Sequence, residues 1–268
     1  MADNEPVKIH VRCSHDGGAA EHQRRSTLCN QVLKQMESDL LSCSTTVICV
    51  IDDEDFGSLK RECGQANRGY FLPLREGITC AVCPDYFYDL VALFDPDTQE
   101  INYQFDSVIY LHDSTCKTDI GMTLSLAHEL CHFRQYANQR ATWAANQLIL
   151  FLGPPHITAW ADIPIEVEAR QVAKRVAQCI FSARAVRDYV AEKAQNPVNK
   201  EDGDDWRFIF DLSTSTSYNV VESTRALVEK HRPLLRKIQT RFAKDHVAYR
   251  LNLDTLELAL EVETKWSL

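Results

Sequence analysis

Three features of the sequence predict an α+β fold. Strand patterns concentrate ahead of His112, and helical periodicity dominates after Thr118. No apolar run approaches the 18 residues that would suggest a membrane span instead. The 268 residues are enough for one large domain or two tightly packed lobes.

Val7, Ile9, Val11 and Cys13 alternate with Lys8, His10 and Arg12, the pattern of a half-buried strand. Gly17-Gly18 ends it. From about Ala20 to Leu41, Leu28, Val32, Leu33, Met36, Leu40 and Leu41 recur at helical spacing. Thr45–Ile51 is a β-branched run that reads as a buried central strand, closed by the acidic turn 52–55, which reads as a solvated turn. Glycines and prolines then divide residues 57–83 into short pieces, with strands expected at Tyr70–Leu72 and Ile78–Val82. Cys80-x-x-Cys83 has no second pair and reads as incidental thiols. A short helix over Pro84–Leu93 and a strand over Tyr103–His112 follow.

Helices are expected over Thr118–Asn138 and Trp143–Leu152. Another runs from Asp162 to about Lys193, with Pro164 in its first turn and Asp162 as its cap. Ala169, Ala173 and Ala177 form a small-residue ladder beside Val172, Val176 and Ile180. The polar stretch Gln195–Asp205 reads as a loop. Tyr218–His231 and Leu234–Phe242 read as two helices separated by Pro233. Leu251–Val262 fits helix and strand equally.

The net charge of −9 argues against nucleic acid or an anionic membrane as the main partner. Ten cysteines in this length are too sparse for a disulfide scaffold. The first residues show no basic and apolar leader pattern, and no Asn-x-Ser/Thr sequon occurs. A reducing, cytoplasmic setting is therefore expected.

The chemistry centres on His128-Glu129-Leu130-Cys131-His132. Residues four apart share a helix face, so His128 and His132 can aim two imidazole nitrogens at one cation. Glu129, about 100° further round, can reach a water held by that cation and take its proton. With nine histidines, a chance match to His-Glu-x-x-His is roughly a 2-in-100 event. The apolar flanks Leu124, Leu126, Ala127, Leu130 and Phe133 suit a buried active helix. Cys131 projects off the metal face and reads as core packing.

A catalytic zinc needs a third protein ligand. Glu166, in Pro164-x-Glu166-x-x-Ala169-x-x-x-Ala173, is the leading candidate. Its plainer reading is a helix-start glutamate favoured by the dipole. Glu168 and His156 are the rivals.

Together the two segments resemble the HExxH zinc peptidases of the gluzincin kind, over about residues 118–173. The resemblance implies an α+β zincin-like fold as a single catalytic domain over 1–268. Residues 1–140 would form a mixed-sheet lobe with the active helix. Residues 141–268 would form a helical lobe supplying the third ligand. It also implies one Zn²⁺ on His128, His132 and Glu166, Glu129 as general base, and a peptide or protein substrate. Arg134 and Arg170 depart from the family pattern, and they motivate an alternative: a zincin-like module that binds peptide without cleaving it. Tyr136, His156, Tyr218 and His231 are candidates to assist the oxyanion.

Overall fold

A computed structural model describes residues 8–13, 18–40, 46–52, 68–73, 107–159, 162–244 and 246–258. Turn residues 53–55, Cys80-x-x-Cys83, the expected strand at 78–82, the expected helix at 84–93 and the tail beyond 258 lie outside them. The fold is α+β, with most of the described residues helical. Contacts divide the chain into two compact units that interleave in sequence. The first comprises Met1–Arg75, Asn102–Arg134 and Glu168–Tyr218; the second comprises Glu76–Ile101, Gln135–Val167 and Asn219–Leu268.

The first unit holds a four-stranded sheet: β1 (Lys8–Cys13), β2 (Thr46–Asp52), β3 (Gly69–Pro73) and β4 (Ser107–His112), in the order β1-β2-β4-β3. β1, β2 and β4 are parallel, with Val11 opposite Cys49 and Cys49 opposite Ile109. A parallel β1–β2 pair needs a crossover, and α1 (Gly18–Leu40) supplies it. Leu28, Val32, Met36 and Leu40 form its buried stripe, as the periodicity predicts. Ile109, Tyr110 and Leu111 are buried consecutively, so β4 is covered on both faces. β3 runs antiparallel to β4 at the edge of the described sheet.

After the single turn α2 (Asp113–Cys116) comes α3 (Asp119–Asn138), which carries His-Glu-x-x-His. Thr118 Oγ1 accepts from Gly121 N at 3.1 Å and caps its start. Residues 121–127 are all buried, as are Leu130, Cys131 and Phe133, so α3 is a core helix rather than a surface amphipath. α1 grips its entry. Arg25 donates to Asp113 at 2.6 Å, and Arg24 bonds Cys116 O at 2.6 Å and pairs with Asp119.

The long helix expected from 162 to 193 is two helices: α5 (Pro164–Ile180) and α6 (Ala183–Gln195). Ser182 has φ 126° and its hydroxyl accepts from Ala185 N, so a new N-cap forms where continuation was expected. Asp162 does not cap α5. Its carboxylate accepts from Thr158 N, Thr158 Oγ1 and Ala159 N. Burial pulls the Asp162 pKa upward, but these three bonds outweigh it and hold it low.

The alanine ladder is buried as expected, but so is a polar row: Arg170, Gln171 and Lys174. Lys174 Nζ donates to the carbonyls of Ile209, Phe210 and Leu212 at 2.7–2.8 Å. These are carbonyls left over at the end of α7 (Lys200–Asp211). Gln171 bonds Ser213 O, Thr216 O and Tyr218 N, fixing the following loop. α7 itself replaces half of the loop expected at 195–205. Asn199 accepts from Asp202 N as its N-cap, and Glu201 and Asp202 occupy the favourable first turn.

In the second unit the end of α3 is followed by α4 (Arg140–Ile149) and the start of α5. α8 (Val220–Gln239) and the β5–β6 hairpin (Leu251–Asn252, Glu257–Leu258) complete it. The hairpin resolves part of the ambiguous tail as strand. α8 runs through Pro233 as one helix, because its buried stripe of Val228, His231, Leu235 and Ile238 outweighs a proline penalty of about 3 kcal/mol. A buried Asn146–Thr224 hydrogen bond of 2.8 Å ties α4 to α8.

Candidate metal centre

Because α3 is regular and mostly buried, its 3.6-residue turn dictates where the motif's side chains meet. The Nε2 atoms of His128 and His132 lie 3.0 Å apart. Their rings are nearly perpendicular, at 88° with centroids 4.6 Å apart. Ligand-type atoms of His128, Glu129 and His132 all fall within 4.8 Å of one another. Glu129 and His132 are buried, at 5% and 6% exposure, while His128 is half-buried.

The donor set fits a zinc ion. Two nitrogens each about 2.05 Å from a tetrahedral ion sit about 3.3 Å apart, close to the spacing seen here. The same spacing accommodates one N–H···N bond when no cation is present. Glu129, one residue on from His128, stands in the cluster as a carboxylate that can accept a proton.

The edge strand closes on this carboxylate. A methyl group built on Gly69 would lie 2.9 Å from Glu129 Oε1, 3.1 Å from its Cγ and 3.0 Å from Tyr110 O. The first of these is shorter than a carbon contact allows and the other two are tight, so a side chain here would make its neighbours give way by a few tenths of an ångström. Two places along, Phe71 meets Phe133 of α3 edge-on, at 6.1 Å between centroids.

Sequence reasoning missed Gly69 and its neighbour Arg68. The available signal was a glycine beside the expected strand Tyr70–Leu72, a mark of close backbone approach. Arg68 pairs with Asp202 at 2.8 Å and Asp205 at 2.9 Å, and lies 3.5 Å over the Trp206 ring.

Of the third-ligand candidates, Glu166 is half-buried in the first turn of α5, in the second unit. Glu168 is buried and paired with Arg134 at 2.7 Å. His156 is exposed and stacks edge-on with His231, centroids 4.7 Å apart. Burial and the neighbouring His156 push the His231 pKa down. Arg170 pairs with Asp205 at 2.6 Å. Tyr136 packs against Trp143 with Arg140 over its ring, and Tyr218 N is held by Gln171. Cys131 is fully buried, accepts from Arg134 at 3.5 Å, and has its pKa pushed up by burial, as befits core packing.

Comparison with family models, with curated proteins and with solved structures finds no match to this chain.

Proposed function

We propose that this chain is a zinc-dependent metallopeptidase with a zincin-like fold of the gluzincin kind. His128, His132 and Glu166 hold the metal in this reading. The observation that carries it is the triplet, buried at Glu129 and His132, in which two Nε2 atoms 3.0 Å apart share a 4.8 Å cluster with a carboxylate. Zinc, when bound, supplies a Lewis acid that lowers the pKa of its water to about 7 and polarises the scissile carbonyl. Glu129 accepts the proton of the attacking water and returns it to the leaving amine.

The edge strand supports an extended peptide as substrate. His112 N donates to Arg68 O at 3.0 Å, so Arg68 and His112 form a hydrogen-bonded pair. Antiparallel alternation then turns the backbone N–H and C=O of Gly69 away from β4, towards the edge of the described sheet. A peptide can add there as a further strand, beside Glu129. Arg134 and Arg170, the residues that motivated a non-catalytic module, face Glu168 and Asp205, which compensate their charge.

A cytoplasmic setting belongs to the same proposal. Cys29, Cys116 and Cys131 are buried free thiols, and burial pushes Cys116 up to about 12. No described helix is long and apolar enough to cross a membrane.

The test pairs metal analysis with cleavage of a mixed peptide library, with and without chelator. Wild type should carry about one zinc per chain, and His128→Ala or His132→Ala should lose it. Glu129→Gln should keep zinc while turnover falls about 10²–10⁴-fold. Folded wild type without zinc, or a Glu129→Gln variant that still cleaves, refutes the reading.

A further inference from the structure

We propose that Gly69 is a positioning residue: its missing side chain is what allows the Glu129 carboxylate to stand beside the two histidines. The inference rests on the metallopeptidase reading for its catalytic consequence, but its steric content is independent of that reading.

The close approach has three walls, and two cannot yield. β3 is laddered to β4 through Tyr70–Tyr110 and Phe71–Ile109. Its leading end is pinned by Arg68, whose guanidinium is held by two carboxylates and an indole face and whose carbonyl is bonded to His112 N. The α3 backbone is locked as well, since every residue from 121 to 127 is buried. A methyl at position 69 would stand 2.9 Å from Glu129 Oε1 and 3.1 Å from Cγ. The Glu129 side chain is the part left to move. At 5% exposure it has no open solvent to swing into, so the few tenths of an ångström it must give come out of its place beside the imidazoles. Gly69 therefore sets the carboxylate's position through the side chain it lacks, whatever its backbone binds.

Gly69→Ala tests this on the full chain, singly and in a Glu129→Ala background. Zinc content, kcat, KM and Tm are measured for each protein. Expected is a kcat about 10-fold lower, less than the roughly 10²-fold of a full ångström because the carboxylate gives only a few tenths, with KM and zinc content unchanged. Expected too is a fall in Tm that is larger with Glu129 present than in the Glu129→Ala background. The contact with Tyr110 O is common to both backgrounds and cancels in that comparison.

Wild-type kcat in Gly69→Ala overturns the proposal. So does an equal fall in Tm in both backgrounds, which would place the whole effect on β4. Loss of zinc overturns it too, because the methyl would then be disturbing the ligands rather than the base. If Gly69→Ala alone does not fold, the double variant decides: folding supports the proposal and failure overturns it. If wild type cleaves nothing, the metallopeptidase reading fails, and the Tm comparison by itself decides the role of Gly69.

Discussion

Arg134→Met removes the guanidinium that Glu168 faces while preserving much of the side chain's apolar length. The two charges are 2.7 Å apart at their nearest atoms, and their side chains are only 14% and 10% exposed. Solvent screening is therefore weak. At about 4 Å between charge centres and an effective dielectric near 20, the attraction is about 4 kcal/mol. Breaking a buried pair from one side leaves the other charge in the same desolvated place, at about 3–5 kcal/mol. Taking about 3 kcal/mol, and about 2–4 °C per kcal/mol for a chain of this size, Tm should fall by about 6–12 °C. Arg134→Met/Glu168→Met removes both charges and should recover most of the loss. Thermal melts followed by circular dichroism read the Tm values, and metal analysis on the same samples reads zinc. Both variants should keep the metal, because Glu168 is committed to Arg134. A double variant no more stable than Arg134→Met refutes the electrostatic reasoning. Zinc lost with Glu168 would make that residue the ligand.

The remaining predictions concern ligand identity, helix termination and acid stability. Glu166→Ala should lose zinc while His156→Ala retains it; metal analysis showing the reverse transfers the third position to His156. Lys174→Met strips three carbonyls at the end of α7 of their donor and should destabilise the fold by about 2–4 kcal/mol in a thermal melt. The Arg24 hydrogen bond, helped by Arg25 and opposed by burial, holds Glu21 at about 2 instead of 4.5. A depressed carboxylate contributes its full stability above pH 4.5 and loses it as pH falls towards 2. Glu21→Gln should accordingly flatten the acid limb of a Tm–pH profile, and an unchanged limb would assign it to other groups.

The elements that the sequence located well are those whose period is long and unambiguous. α1 emerged from one apolar stripe, β2 from a continuous β-branched run and β4 from the apolar run Val108–Leu111, because burial leaves a direct trace in composition. The His128–Glu129–His132 triplet was legible for the same reason. Helical geometry alone brings residues i and i+4 together, so no distant contact was needed to predict their meeting.

Other features were decided by local caps or by contacts between segments far apart in the chain. Pro233 reads as a break, yet α8 continues through it because its buried stripe is held on both sides of the proline. Ser182 divides what periodicity joined, since its hydroxyl caps a new helix. The 195–205 stretch looked too polar for a helix, but Asn199 and the acidic first turn satisfy its start and Lys174 its end. Arg134 and Arg170 read as departures from a pattern until Glu168 and Asp205 were seen opposite them. Gly69 carries no chemistry of its own. Its meaning lies in the 2.9 Å between a Cβ it lacks and an oxygen sixty residues away. Local periodicity encodes which face of an element is buried; it does not encode what that face meets, because packing distances depend on both partners at once.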